Sequence, residues 1–142
     1  MANATMRKFG FPETLIREWD QWAVLLRPGQ VTLGSLVLAA RGEATAFSEL
    51  PDAAFAELAA VVRAIEAALT NFGGYERLNY LMLMMVDPHV HFHVIPRFSA
   101  PREWNGTMFP DEGWPGPPLL KSAVELGPEQ IGSLRDELKG LF

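Results

Sequence analysis

Six apolar residues, Phe55, Leu58, Val62, Ile65, Leu69 and Phe72, recur at spacings of 3, 4, 3, 4 and 3, the period of a helix with one apolar stripe. Pro51 and Asp52 suit a first turn and Gly73 and Gly74 an end, so the spacing predicts a helix over residues 52–72. The alanines between the stripe positions favour helix and leave much of its surface smooth enough to pack on a sheet or a partner chain. Elsewhere the apolar pattern is short and strand-like. Leu15–Trp19 and Trp22–Leu26, parted by Asp20 and Gln21, predict a hairpin, and Ser35–Ala40 predicts a third strand. After the helix, RLNYLMLMMV (77–86) and HVHFHVIPRF (89–98) predict a second, central hairpin turning at Asp87 and Pro88. Met82, Met84 and Met85 read there as core filling.

Beyond Pro96 the pattern changes. Prolines punctuate a segment that also holds Trp104, Phe109 and Trp114, and such a segment is expected to wrap a surface rather than form a sheet. The two tryptophans read as anchors of that segment, or as a stacking face for a base if it folds over a site. Ile131, Leu134, Leu138 and Leu141 follow Pro128 at spacings of 3, 4 and 3, marking a short terminal helix. A single domain over residues 1–142 is expected, with a core at about 13–98 and a C-terminal extension over 99–142.

Composition narrows the function. The net charge is −5 and the basic residues are scattered, so no footprint for duplex nucleic acid appears, while a small anion remains a possible ligand. The absence of cysteine removes disulfides and thiolate metal sites and fits a reducing cytoplasm. No apolar run reaches the roughly 18 residues of a membrane span, and MANATMRKFG lacks the apolar core of a signal peptide. A soluble, cytoplasmic protein without membrane contact is expected.

All three histidines of the chain, His89, His91 and His93, stand at alternate positions of the strand 89–98. Alternation places them on one face and Val90, Phe92 and Val94 on the other. The outer two lie about 13 Å apart in a regular strand, too far to share one metal. Two of them with a carboxylate from elsewhere keep a His-ligated metal enzyme open as a minor reading; otherwise neither metal nor cofactor is expected. Neutral imidazole is a nucleophile near pH 7, and neighbouring imidazoles can donate hydrogen bonds to the oxygens of the group attacked. Phosphorus is the natural target of such a row.

HVHFHVI resembles the signature of the histidine triad (HIT) family of nucleotide hydrolases and transferases. The order hairpin, strand beginning at Gly34-Ser35, helix and second hairpin is similar to that family's over about residues 13–98. The resemblance implies an α+β fold, a five-stranded antiparallel sheet carrying one long helix. It implies His91 as the nucleophile forming a covalent nucleotidyl intermediate, with His93 and His89 as phosphate-contacting and supporting neighbours. The expected substrate is a nucleoside phosphate or a dinucleoside polyphosphate, and the alternative is a nucleotide-binding or regulatory protein with weak turnover. A homodimer is implied through the helix, by the face away from the 3–4 stripe, and the strand 77–86.

Three departures from the family bear on the substrate. Ser35 stands where members carry a further histidine. Arg27 stands where many place a ribose-binding Asp or Asn; a guanidinium only donates, so it suits a phosphate or carboxylate instead. The turn before the triad, reduced to Met85-Val86-Asp87-Pro88, lacks the Ser, Thr or Gln that members place near the leaving group. Asn79 is similar to an Asn used near the nucleoside, with a backbone-satisfied strand Asn as the alternative. Arg97, just past the triad strand, reads as an anion-steering group or as an ordinary exposed Arg.

Overall fold

The computed structural model describes residues 2–142. In chain order the elements are α1 (Ala4–Lys8), β1 (Leu15–Glu18), β2 (Trp22–Leu26), β3 (Gly29–Gln30), β4 (Leu36–Ala40), α2 (Asp52–Asn71), β5 (Arg77–Leu81), β6 (His91–Arg97), β7 (Arg102–Trp104), β8 (Thr107–Phe109), β9 (Val124–Glu125) and α3 (Pro128–Lys139). Five strands form one sheet in the order β1-β2-β4-β6-β5, with every neighbouring pair antiparallel. This is the expected α+β architecture.

The central strands β2 and β4 are buried along their whole length because both faces of the sheet are covered. On one face Trp22, Val24, Leu36, Leu38, Val90 and Val94 pack with Val61, Ile65 and Leu69 of α2 and Leu134 and Leu138 of α3. Trp22, fully buried, also donates its indole N–H to the Ala54 carbonyl at 2.7 Å, which satisfies the one polar atom of a side chain otherwise suited to the core. On the opposite face Met6, Ala23, Leu25, Val37 and Ala39 form a second cluster, with Phe9 and Phe11 against it. The N-terminal segment supplies that cover. Asn3 caps α1 by accepting the Met6 N–H and pins it to the sheet by donating to the carbonyls of Ala40 and Gly42.

The long helix forms where the periodicity places it, but its buried side is rotated. Ala54, Val61, Ile65, Ala68 and Leu69 are buried, whereas Phe55 is 42% exposed and Leu58 and Val62 are half-buried. Ala54 and Ala68 share that buried side with Val61, Ile65 and Leu69, while most of the other alanines are exposed. Part of the large-residue stripe therefore faces outward. The strand expected over 77–86 stops at Leu81, and Met82–Val90 leaves the ladder through Met84, whose φ is +45°. Met82 and Met84 are half-buried and pack against the core as expected, whereas Met85 is 82% exposed and does not fill it.

The extension holds more sheet than its prolines suggest. β7 and β8 form a hairpin closed by Asn105 and Gly106, both at positive φ, and β9 pairs with β3. The terminal helix forms as expected, burying Leu134 and Leu138. Gly34 takes φ +94° where the chain turns into β4, a conformation that favours glycine, and a Cβ there would press at 3.3 Å on the end of the Leu69 side chain. No helix among the described residues is long and apolar enough to cross a membrane.

Candidate active site

Register explains which side chains meet. β4 sets Val37 opposite His93 and Ala39 opposite His91, and β2 sets Leu25 opposite Val37 and Ala23 opposite Ala39. All of these project from the face covered by the N-terminal segment. Arg27, two residues beyond Leu25, projects from that same face, and its Nε–H donates to His93 Nδ1 at 3.3 Å. The carbonyl of Gly29 takes a second guanidinium N–H at 2.5 Å and fixes the arginine.

His91 Nδ1 lies 2.7 Å from the His89 carbonyl oxygen. A carbonyl only accepts, so Nδ1 carries a proton, and in the neutral ring Nε2 is the nitrogen with the lone pair. His93 is in the opposite tautomer. Because Arg27 only donates, His93 Nδ1 must accept, which leaves Nε2–H as a donor. Burial first, then the charges of Arg27 and His91, lower the His93 pKa from 6.5 to about 4, against a smaller opposing effect of Asp87. The two rings stand edge to face at 5.1 Å, so an unprotonated nitrogen and a neutral N–H donor sit side by side.

His89 is used differently. Its Nδ1 meets the Thr5 hydroxyl at 2.9 Å and its Nε2 lies 3.3 Å from a Glu43 carboxylate oxygen. It therefore ties α1 to the triad, and its backbone carbonyl rather than its ring acts on His91. Phe9 closes over the other two, 5.7 Å from the His91 ring and 5.6 Å from the His93 ring.

A cavity of about 470 Å³ opens beside His91 and His93. Lys8, Arg27 and Lys121 supply cationic groups, Asp87 an anionic one, and Phe9, Leu83, Met84, Met85, Val86 and Leu120 apolar wall. Lys8 and Asp87 pair across it at 3.0 Å. Three cations against one carboxylate suit an anionic ligand. Among the described residues no group of three His, Asp or Glu is placed to hold a metal ion.

The remaining expected site residues lie elsewhere. Ser35 is fully buried and donates to the Thr32 carbonyl at 2.7 Å while accepting the Thr32 N–H at 3.1 Å. It closes the turn before β4 and does not line the cavity. Asn79 and Arg97 meet each other, with Arg97 Nη1 donating to Asn79 Oδ1 at 2.8 Å, at the far end of β6. Arg97 is buried, not exposed, and is bound bidentately by Asp111 at 2.7 and 3.0 Å. Sequence reasoning missed Thr5, Lys8, Phe9, Leu120 and Lys121, which come from both ends of the chain. Asn3, a side chain suited to capping a helix start, was the one signal pointing to α1.

No protein-family model matches the chain, and no curated protein matches it in sequence. Solved structures do share its fold. A histidine triad protein from Sinorhizobium meliloti 1021 aligns with a TM-score of 0.75 at 18% identity, over 100% of this chain and 96% of its own. The diadenosine triphosphate hydrolase of Plasmodium falciparum aligns at 0.66 and 11% identity, over 91% of this chain and 76% of its own. The C. elegans NitFhit protein aligns at 0.68 and 16% identity over 92% of this chain, which spans only 27% of that protein's length. The chain has the histidine triad fold.

Proposed function

We propose that the chain is a nucleotide hydrolase or nucleotidyl transferase that works through a covalent intermediate on His91. The observation that carries this reading is the 2.7 Å bond from His91 to the His89 carbonyl, which reserves Nε2 as a lone pair. Nε2 attacks a phosphorus seated in the cationic cavity, the N–P bond forming as the bond to the leaving oxygen breaks. His93 donates Nε2–H to a phosphate oxygen, and Arg27, Lys8 and Lys121 offset its charge. Water then attacks the phosphorus, restores neutral His91 and releases the nucleotide and a proton. Asp87 is already paired with Lys8, so the leaving group departs without a carboxylic acid to protonate it. That favours a phosphoanhydride, whose leaving phosphate is a weak base, over a phosphoramidate. The described activity of the Plasmodium neighbour supports the same substrate class. Intact-mass analysis after acid-free quenching should find one nucleotidyl group on the His91 peptide during turnover of a dinucleoside polyphosphate; steady hydrolysis with no such adduct at any time overturns the covalent route.

A second reading, a nucleotide-binding protein with weak turnover, draws on His91 being only 2% exposed beneath Phe9 and on Ser35 being turned away from the cavity. Stoichiometric adduct with slow release of product would favour it over efficient hydrolysis.

Arg27 acts on His93 and not on a ribose in this reading. In Arg27→Gln one of the causes that lower the His93 pKa is lost, so the titration midpoint of the His93 ring followed by ¹⁵N NMR should rise above about 4. In the native protein the folded pKa lies below the unfolded 6.5, so the unfolded chain binds the extra proton first and stability should decline as pH falls from about 6.5 to about 4. A midpoint unchanged by the substitution would separate Arg27 from His93.

The chain is also read as a homodimer, through the outward-turned part of the stripe itself and not through the helix face away from it. Phe55 and Phe47, 42% and 43% exposed, meet with tilted rings 5.4 Å apart beside an apolar cleft lined by Leu58, Val62, Tyr80 and Phe92. The neighbouring edge strand β5 is unpaired on its outer side. Light scattering should give a dimer at micromolar concentration and a monomer for Val62→Arg; a native monomer ends the claim.

A further inference from the structure

On the histidine side of the sheet, but at the opposite end of β6, Arg77, Asn79, Arg97 and Trp114 enclose a second cavity of about 470 Å³. It borders none of the residues that line the triad cavity. Its floor is prebuilt. Arg97, 4% exposed, uses its guanidinium on Asp111, on Asn79 Oδ1 and on the Gly116 carbonyl, which fixes both the asparagine and the turn that carries Trp114. With Oδ1 taken by Arg97, the Asn79 amide turns its N–H groups to the space that remains, and among the described residues none accepts from them.

The wall is an aromatic one. Among the described residues the indole N–H groups of Trp22 and Trp104 donate to Ala54 and Glu137, whereas those of Trp114 here and of Trp19 outside this cavity have no acceptor. The turn beneath it is rigid: the Gly116 N–H donates to the Gly113 carbonyl at 2.7 Å, and a Cβ on Gly113 would sit 2.3 Å from the Pro117 carbonyl oxygen. At the rim, the exposed Arg77 guanidinium meets only the Glu76 carbonyl, at 2.8 Å. No Asp or Glu lines the space, so its charged side chains are the arginines alone.

From this arrangement we infer that the cavity is a second ligand site, separate from the triad, for an aromatic ring bearing an anionic group. The ring lies against Trp114 and Pro115, and its phosphate or carboxylate takes hydrogen bonds from Arg77 and the Asn79 amide. The arginine side chains, with no carboxylate beside them in the lining, favour an anionic ligand over a cationic one. The volume falls in the roughly 300–1,000 Å³ range of small-molecule pockets and admits either an aryl carboxylate or a nucleoside monophosphate.

The Trp114 indole cross-peak in a ¹H–¹⁵N spectrum reports on this cavity directly. Titration with benzoate and, separately, with adenosine monophosphate should move it saturably for at least one of them, and the tighter of the two names the source of the ligand. Cyclohexane carboxylate, which has the anion and a ring of similar size but no aromatic face, should move it little. Arg77→Ala should weaken the saturable binding about fivefold, the upper end for an exposed ion pair, and leave hydrolysis at His91 unchanged. No saturable movement with either probe, equal movement by cyclohexane carboxylate, or an Arg77→Ala protein that binds as the native one does would each overturn the site. Because adduct formation at His91 is read separately, failure here is distinguishable from failure of the proposed catalytic function.

Discussion

His91→Ala should lower turnover of a dinucleoside polyphosphate by at least about a thousandfold while nucleotide affinity stays within about tenfold of native. The asymmetry follows from how the cavity divides its labour. Charge for the phosphate comes from Lys8, Arg27 and Lys121, and a neutral donor from His93, none of which the substitution removes. His91 contributes little to ground-state binding because a lone pair repels phosphate oxygens until the N–P bond begins to form. Loss of the imidazole also leaves the His89 carbonyl without its 2.7 Å partner, a small structural cost beside the loss of the nucleophile. Steady-state rates paired with calorimetric affinities for a product nucleotide separate the two effects. Near-native turnover in the variant would exclude a nucleophilic His91, and a collapse of affinity along with rate would mean that the ring binds substrate rather than attacks it.

Much of this site was legible before any coordinates. Strict alternation put the three histidines on one face, and the hairpins and long helix followed from apolar periods of 2 and 3.6. What alternation cannot show is how unlike the three are: His89 bonds Thr5 and Glu43 while His91 and His93 face the cavity, a difference set by contacts 84 and 66 residues away in sequence. Contacts of that range leave no local trace. Arg27 stood out by its departure from the family pattern, but its role as partner of His93 depends on β2, β4 and β6 lying side by side. The short α1, five residues long, is below the length at which periodicity carries information. The Asn105-Gly106 hairpin was readable from its turn residues and was obscured by the surrounding prolines. The rotated stripe of α2 has a plainer cause, since pattern alone does not distinguish alanines that face a sheet from alanines that face solvent.

Sequence reads Arg97 as an anion-steering group or an ordinary exposed Arg, because its partner Asp111 lies in a segment that composition marks as irregular, and the structure instead buries it in an ion pair. Asp111→Ala should therefore destabilise the protein by about 3–5 kcal/mol, the cost of leaving a buried charge without its partner. The two side chains are 4% and 1% exposed, so water cannot replace the lost carboxylate without opening the fold. Asp111 also accepts the Phe98 N–H at 3.1 Å, and removing it strands that backbone donor as well. Urea unfolding of the native protein and of Asp111→Ala should show the shift in midpoint. The double variant Arg97→Met with Asp111→Leu should recover most of the loss, because apolar side chains of similar volume remove both charges together. A single variant within about 1 kcal/mol of native would show that the pair is hydrated and does not hold the extension to the sheet. A double variant as unstable as the single would place the cost in lost packing around Phe98 and Gly116 instead of in the uncompensated charge. In either double-variant outcome His91 should still form its nucleotidyl adduct under folding conditions, since the pair stands six residues along β6 from it, about 20 Å in an extended strand.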